Sequence, residues 1–131
     1  MVYVNFSEAF DTSNVLSAEV MFEGCTSLQG VNMSSFNTSL ISSLHSMFNN
    51  CKELTSIDLS NFDTRNIIDF ECMFSINHKL NYVDISSFNT TKSGKIINLF
   101  KYSLAKGSII INNKTFDGII PSGWNVIYKD Y

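Results

Sequence analysis

The chain has 131 residues with a formal net charge of -3, 44% hydrophobic and 16% charged residues, proportions that suit one folded domain. So mild a charge offers no basic patch to neutralise a phosphate backbone, which disfavours nucleic-acid binding. Apolar runs such as Ile109-Ile110-Ile111 and Met73-Phe74 are far too short to cross a bilayer as a helix.

At the start, Met1-Val2-Tyr3-Val4-Asn5 has neither the charged n-region nor the apolar h-region of a signal peptide. An excised fragment and an intracellular protein are both open readings of that start. Val4-Asn5-Phe6-Ser7 has the look of a first strand, one residue out of step with Phe10, so residues 1–9 are expected to form an entry strand and turn.

From Phe10 onwards the chain repeats every 26 residues. The pair Met21-Phe22 recurs as Met47-Phe48, Met73-Phe74 and Leu99-Phe100. The same step links Phe10, Phe36, Phe62 and Phe88, and also Thr12, Thr38, Thr64 and Thr90. It links Leu28, Leu54 and Leu80, then Val31, Ile57, Val83 and Ile109, then Met33, Leu59, Ile85 and Ile111. Chance does not hold so many apolar columns in register without an insertion.

Within a unit, Leu54-Thr-Ser-Ile57-Asp-Leu59-Ser-Asn-Phe62 has the L-x-x-L-x-L form of a leucine-rich repeat, with Ile57 and Leu59 alternating inward from a short strand. Asp63-Thr64 then offers an N-cap, and Ile67, Phe70, Met73 and Phe74 fall at helical spacing. The expected architecture is therefore an α/β solenoid, a leucine-rich-repeat-like stack with parallel strands on one face and short helices or 3-10 segments on the other. One unit cannot stand alone, because its few buried side chains do not offset the entropy of ordering 26 residues; stacked neighbours must supply the rest.

The pattern decays in the last unit. Lys92-Ser93-Gly94-Lys95 replaces the apolar start of the expected helix, and Ser103 and Lys106 stand in the Cys and Leu columns. The tail from Thr115 to Tyr131, with Trp124, Val126 and Tyr128, reads as a cap on the last rung. The whole chain is read as one repeat domain: entry strand 1–9, repeats 10–111, and C-terminal cap 112–131, the end of an array.

The segment Met47-Phe-Asn-Asn-Cys-Lys-Glu-Leu-Thr-Ser-Ile-Asp-Leu-Ser-Asn-Phe-Asp-Thr-Arg-Asn-Ile67 resembles the bacterial surface protein 26-residue repeat, the BspA-like leucine-rich repeat. That family's form is Met-Phe-x-x-Cys-x-x-Leu-x-x-(Ile/Val/Leu)-Asp-(Leu/Ile)-Ser-x-Phe-(Asp/Asn)-Thr-x-x-(Val/Ile). The likeness covers residues 10 to 111 and departs at Asn77, where Cys is expected, at Ser93, and across the last unit. It implies a cell-surface or secreted protein of a bacterium or parasitic protist, in a family associated with adhesion, and it carries over no catalytic residue.

The residues themselves agree with a binding module better than an enzyme. Cys25 and Cys51 share a column while Cys72 stands in another, with Val20, Ser46 and Asn98. A Cys25–Cys51 bridge is within reach at the rung spacing, but parallel ladder side chains point the same way, so a buried free-thiol ladder is the expectation. No C-x-x-C pair is present to suggest zinc. His45 shares its column with Glu19 and Glu71 and is expected at a solvated helix position, while His78 lies in a variable turn. Neither has a sequence partner at nucleophile or metal spacing, so no catalytic, metal or cofactor site is expected.

Two polar ladders remain. Asp11, Asn37, Asp63 and Asn89, beside the Thr column, are read as structural caps for backbone N–H groups. Asn32, Asp58 and Asp84 lie on the outward side of the strands, next to Gly30, Ser56 and Tyr82 and to Ser34, Ser60 and Ser86. Adjacent carboxylates at Asp58 and Asp84 invite a cation or a basic partner, or else stand as two solvated groups. The ligand-binding set expected on this face is Tyr82, Asp58, Asp84, Asn32 and Ser56, with Tyr82 the largest amphipathic contact. Asn-x-Ser/Thr sequons occur at Asn5, Asn32, Asn37, Asn89 and Asn113, and matter only in a secreting eukaryote. The reading is thus a non-enzymatic module that contacts a protein or glycan. Its rival is a structural spacer that projects another domain.

Overall fold

In the computed structural model the chain is a stack of coils joined by parallel strands, and residues 2–7, 9–92, 96, 98–104, 106–112 and 120–129 are described. The sequence readings at Ser93, Gly94 and Lys95, the Asn113 sequon and the start of the cap at Thr115 fall outside these residues. Among the described residues six short strands appear in chain order: β1 (Val2–Asn5), β2 (Leu28–Asn32), β3 (Ser56–Asp58), β4 (Tyr82–Asp84), β5 (Ser108–Ile111) and β6 (Asn125–Tyr128). β1 pairs with β2, and β3 to β6 form a second sheet, every pair parallel. Between the sheets the Thr55 amide still donates to the Gln29 carbonyl at 3.2 Å.

The register follows the repeat. Ser56 pairs with Tyr82 and Tyr82 with Ser108, and Ile57, Val83 and Ile109 line up behind them. At the entry, Val4 pairs with Val31 and Asn5 with Asn32, after an irregularity between Val2 and Tyr3. The last step is shorter: Ser108 pairs with Asn125, 17 residues on.

The expected α/β solenoid is overturned, because no helix exists among the described residues. The segments predicted as helical are instead a second parallel ladder followed by a tight corner. Amides that a helix would bond four residues back bond to a neighbouring coil. Ser42 N donates to Leu16 O, Ile68 N to Ser42 O, and Leu44 N to Asp69 O, each at 2.9 Å. At the corner, alternate amides continue upward: Ser46 N to Glu71 O, Phe48 N to Met73 O, and Asn50 N to Ser75 O. The amides between them close tight turns inside the coil, as with Met47 N to Leu44 O and Asn49 N to Ser46 O.

Two left-handed residues per coil make this corner. One column is Val20, Ser46, Cys72 and Asn98, with φ between 54° and 60°; the other is Gly24, Asn50, Ile76 and Tyr102, with φ between 58° and 73°. A positive φ ends a right-handed helix wherever it falls. The polar composition reinforces that outcome, since Ser, Thr, Asn and Asp compete for backbone hydrogen bonds and favour turns.

The apolar columns still converge on one core. Leu54, Ile57, Leu59, Phe62, Ile67, Phe70, Met73 and Phe74 are all buried. Phe22, Phe48, Phe74 and Phe100 form a ring stack through the coils, with centroids 5.3 to 6.0 Å apart, and Trp124 covers its end at 5.5 Å from Phe100. Inward residues at successive corners thus reproduce a helix-like spacing with no helix beneath it.

Candidate functional site

The polar columns explain how the strand face is held. Just past each strand an Asx turn forms: Asn32 Oδ1 accepts from the Ser34 amide, Asp58 Oδ1 from Ser60, and Asp84 Oδ1 from Ser86, at 2.9 to 3.0 Å. Asp11, Asn37, Asp63 and Asn89 repeat the motif with the amide two residues on, so they cap turns and not helix starts. Arg65 adds a forked bond to Asp63, 2.7 Å at its shortest, and holds that carboxyl below the usual carboxylate range. Beside them, Thr38 Oγ donates to Asp63 O at 3.0 Å and accepts from Asp63 N at 2.8 Å, joining one coil to the next. Thr12 and Thr64 do the same to Asn37 and Asn89.

The five residues expected to bind are brought into one neighbourhood, but they are not equally available. Asn32, Ser56 and Asp58 are exposed. Tyr82 is 37% exposed and stands between Ser56 and Ser108 in the ladder, which leaves its ring uncovered by rung neighbours. Partial burial raises the Tyr82 pKa, with the carboxylates of Asp84 and Asp58 adding to the effect. A cleft where the ends of β2 and β3 meet is lined by residues that include Asn32, Ser34, Asp58 and Asn61.

Asp84 is the exception, only 3% exposed although the sequence places it outward. Its Oδ1 is taken by the amide and hydroxyl of Ser86, and Lys129 Nζ lies 3.7 Å from Oδ2. Asp58 and Asp84 are rung partners as the repeat predicts. The cation their pairing invites is provided at Asp84 by the chain itself. Gly30 is also covered, because the Tyr3 ring lies where a Cβ would project.

The cysteine column has a different purpose from redox chemistry. All three cysteines are free thiols. Cys51 Sγ donates to the Phe22 carbonyl, Asn77 Nδ2 to the Phe48 carbonyl, and Ser103 Oγ to the Phe74 carbonyl, at 3.1, 2.9 and 2.8 Å. What the position requires is a buried donor to the Phe carbonyl one coil below, which is why Asn and Ser replace Cys there. Burial pushes the Cys51 thiol pKa up to about 12, so it is a neutral packing group.

One grouping was missed from the sequence. On the second ladder, Ser43 bridges to Asp69, which brings His45 alongside Asp69 and Glu71. Potential ligand atoms of these three lie within 4.8 Å of one another, with His45 Nδ1 3.5 Å from Asp69 Oδ1. His45 is half-buried in a ladder corner, not at a solvated helix position. The 26-residue step already placed His45 over Glu71; only the helical reading turned them outward. His78 has a plain structural role, accepting from the Leu104 amide at Nδ1.

No curated protein and no solved structure matches the chain. A family profile does, across residues 3–126, and so across the ladder, both polar columns and the aromatic stack. The chain therefore belongs to the family described as "Mycoplasma protein of unknown function, DUF285".

Proposed function

We propose that the protein is a non-enzymatic binding module of a cell-surface or secreted protein, contacting a protein or glycan through the strand face. The resemblance to BspA-like repeats and the solenoid architecture support this reading. The observation that carries it is Tyr82: a large amphipathic side chain, 37% exposed, paired in the ladder with Ser56 and Ser108 and close enough to the exposed Asp58 to feel its charge. Asn32 and Ser56 extend the surface, while Asp84 is buried and occupied by Ser86 and Lys129. Tyr82→Ala combined with Asp58→Asn should remove binding in a glycan array or host-protein pull-down without changing the unfolding midpoint. Binding retained by that double variant ends the assignment to this face.

The spacer reading is favoured by a different observation. Asn32 Oδ1 and Asp58 Oδ1 each accept from an amide of their own turn, as in a purely structural column. A longer parent protein whose attached domain binds equally well when this stack is exchanged for an unrelated rigid one would establish the spacer.

A further inference from the structure

We propose that His45, Asp69 and Glu71 form a binding site for a divalent cation of the zinc class, on the second ladder and independent of the strand face. Three observations converge there. The first is geometric: an imidazole nitrogen and two carboxylates lie within 4.8 Å of one another. His45 Nδ1 and Asp69 Oδ1 are 3.5 Å apart, too far for a good hydrogen bond but close to the ~3.4 Å between ligands of a tetrahedral zinc with bonds near ~2.1 Å.

The second is an orphan atom. His45 Nδ1 is inaccessible to solvent and has no hydrogen-bond partner among the described residues, a costly state for a polar nitrogen that a bound cation resolves. The third is charge. Asp69 and Glu71 stand two residues apart in one coil with their carboxylates within 4.8 Å, and a cation shared between such a pair relieves their mutual repulsion.

The ligand chemistry selects the ion. An imidazole nitrogen with two carboxylate oxygens suits zinc and its neighbours, whereas calcium prefers an all-oxygen set of six or more. The Glu71 amide donates to Asp69 Oδ1 at 2.9 Å and orients that carboxylate, the support that bound ligands ordinarily have. Because His45 belongs to one coil and Asp69 and Glu71 to the next, a bound ion ties two coils together and stabilises the fold by linkage.

The test is zinc titration of the metal-free protein by calorimetry, with thermal unfolding measured in zinc and in chelator. One ion per chain and a higher midpoint in zinc are expected. His45→Ala and Glu71→Gln should each weaken zinc by more than the roughly 10- to 100-fold typical of losing an outer-shell group. Their unfolding midpoints in chelator report whether each variant still folds, and Glu71→Gln retains the side-chain shape. His78→Ala should bind as the parent does. Cobalt in place of zinc should give visible bands without sulfur charge transfer. The site is overturned by no zinc uptake, by undiminished uptake in both folded variants, or by sulfur charge transfer, which would move the ion to a cysteine.

Discussion

The first repeat and the central repeats are built from the same columns, yet they are buried very differently. Phe10 is 45% exposed where Phe62 and Phe88 are buried, and Met21 is 38% exposed where Met47 and Met73 are fully enclosed. Phe10 touches the Phe6 and Phe36 rings on the entry side, whereas Phe48 is sandwiched between Phe22 and Phe74. The residue type therefore does not decide burial in this stack. The number of neighbouring coils does, which is the expected behaviour of a quasi-one-dimensional array.

The sharpest way to break that comparison is truncation in the ring stack. Phe48→Ala should cost about 3 to 5 kcal/mol, the range for an enclosed aromatic, while Phe10→Ala should cost well under half as much. Equal losses in urea unfolding would show that end and centre contribute alike. Next is the coil-to-coil hydroxyl bridge. Thr38→Val keeps the shape but leaves the Asp63 amide and carbonyl without their partner, at about 1 to 3 kcal/mol. A neutral result by the same measurement would mean that water replaces the bridge.

The thiol column gives a pH test. Cys51 has its pKa raised in the folded state, to about 12, by burial. An unfolded thiol titrates near ~8.5, so above that value the unfolded chain binds fewer protons than the native one. The contribution is intact below the unfolded pKa and is lost progressively as pH rises towards the folded value. Stability should fall with rising pH in the alkaline range, and Cys51→Ser should flatten that slope while keeping a donor for the Phe22 carbonyl. The same slope in the variant would assign the effect to other groups.

The smallest effect is a gain. Val20 is exposed and holds a left-handed φ of 54°, unfavourable for a β-branched residue, in the column where Asn98 also stands. Val20→Asn should stabilise the first repeat by about 1 kcal/mol, read as a higher midpoint in thermal unfolding. A loss there would show that the Val20 side chain packs usefully at the end of the stack.

Much of this was readable from spacing. The strand phase, with Ile57, Val83 and Ile109 in one column, and the inward set from Leu54 to Phe74 appear in the structure as the period dictates. The helical reading failed at Ile67, Phe70, Met73 and Phe74 because spacing records which residues point inward, not how the backbone brings them there. On the strand face, Tyr82 and Asp58 are exposed as the alternation requires, but Asp84 is not. Its burial depends on Ser86 and on Lys129, a residue past the last repeat that no periodicity relates to it.

The sequence by itself determined the step, the inward columns and the parallel register, since a strict 26-residue period allows each coil to lie only over its own image. Tertiary structure decided the rest. Whether an amide bonds within its coil or to the next depends on a neighbour's carbonyl being in place, and that choice turned an expected helix into a ladder and a corner. The same stacking set His45 against Asp69 and Glu71 and Lys129 against a buried Asp84, because proximity between coils is a property of the assembled stack and not of any one repeat.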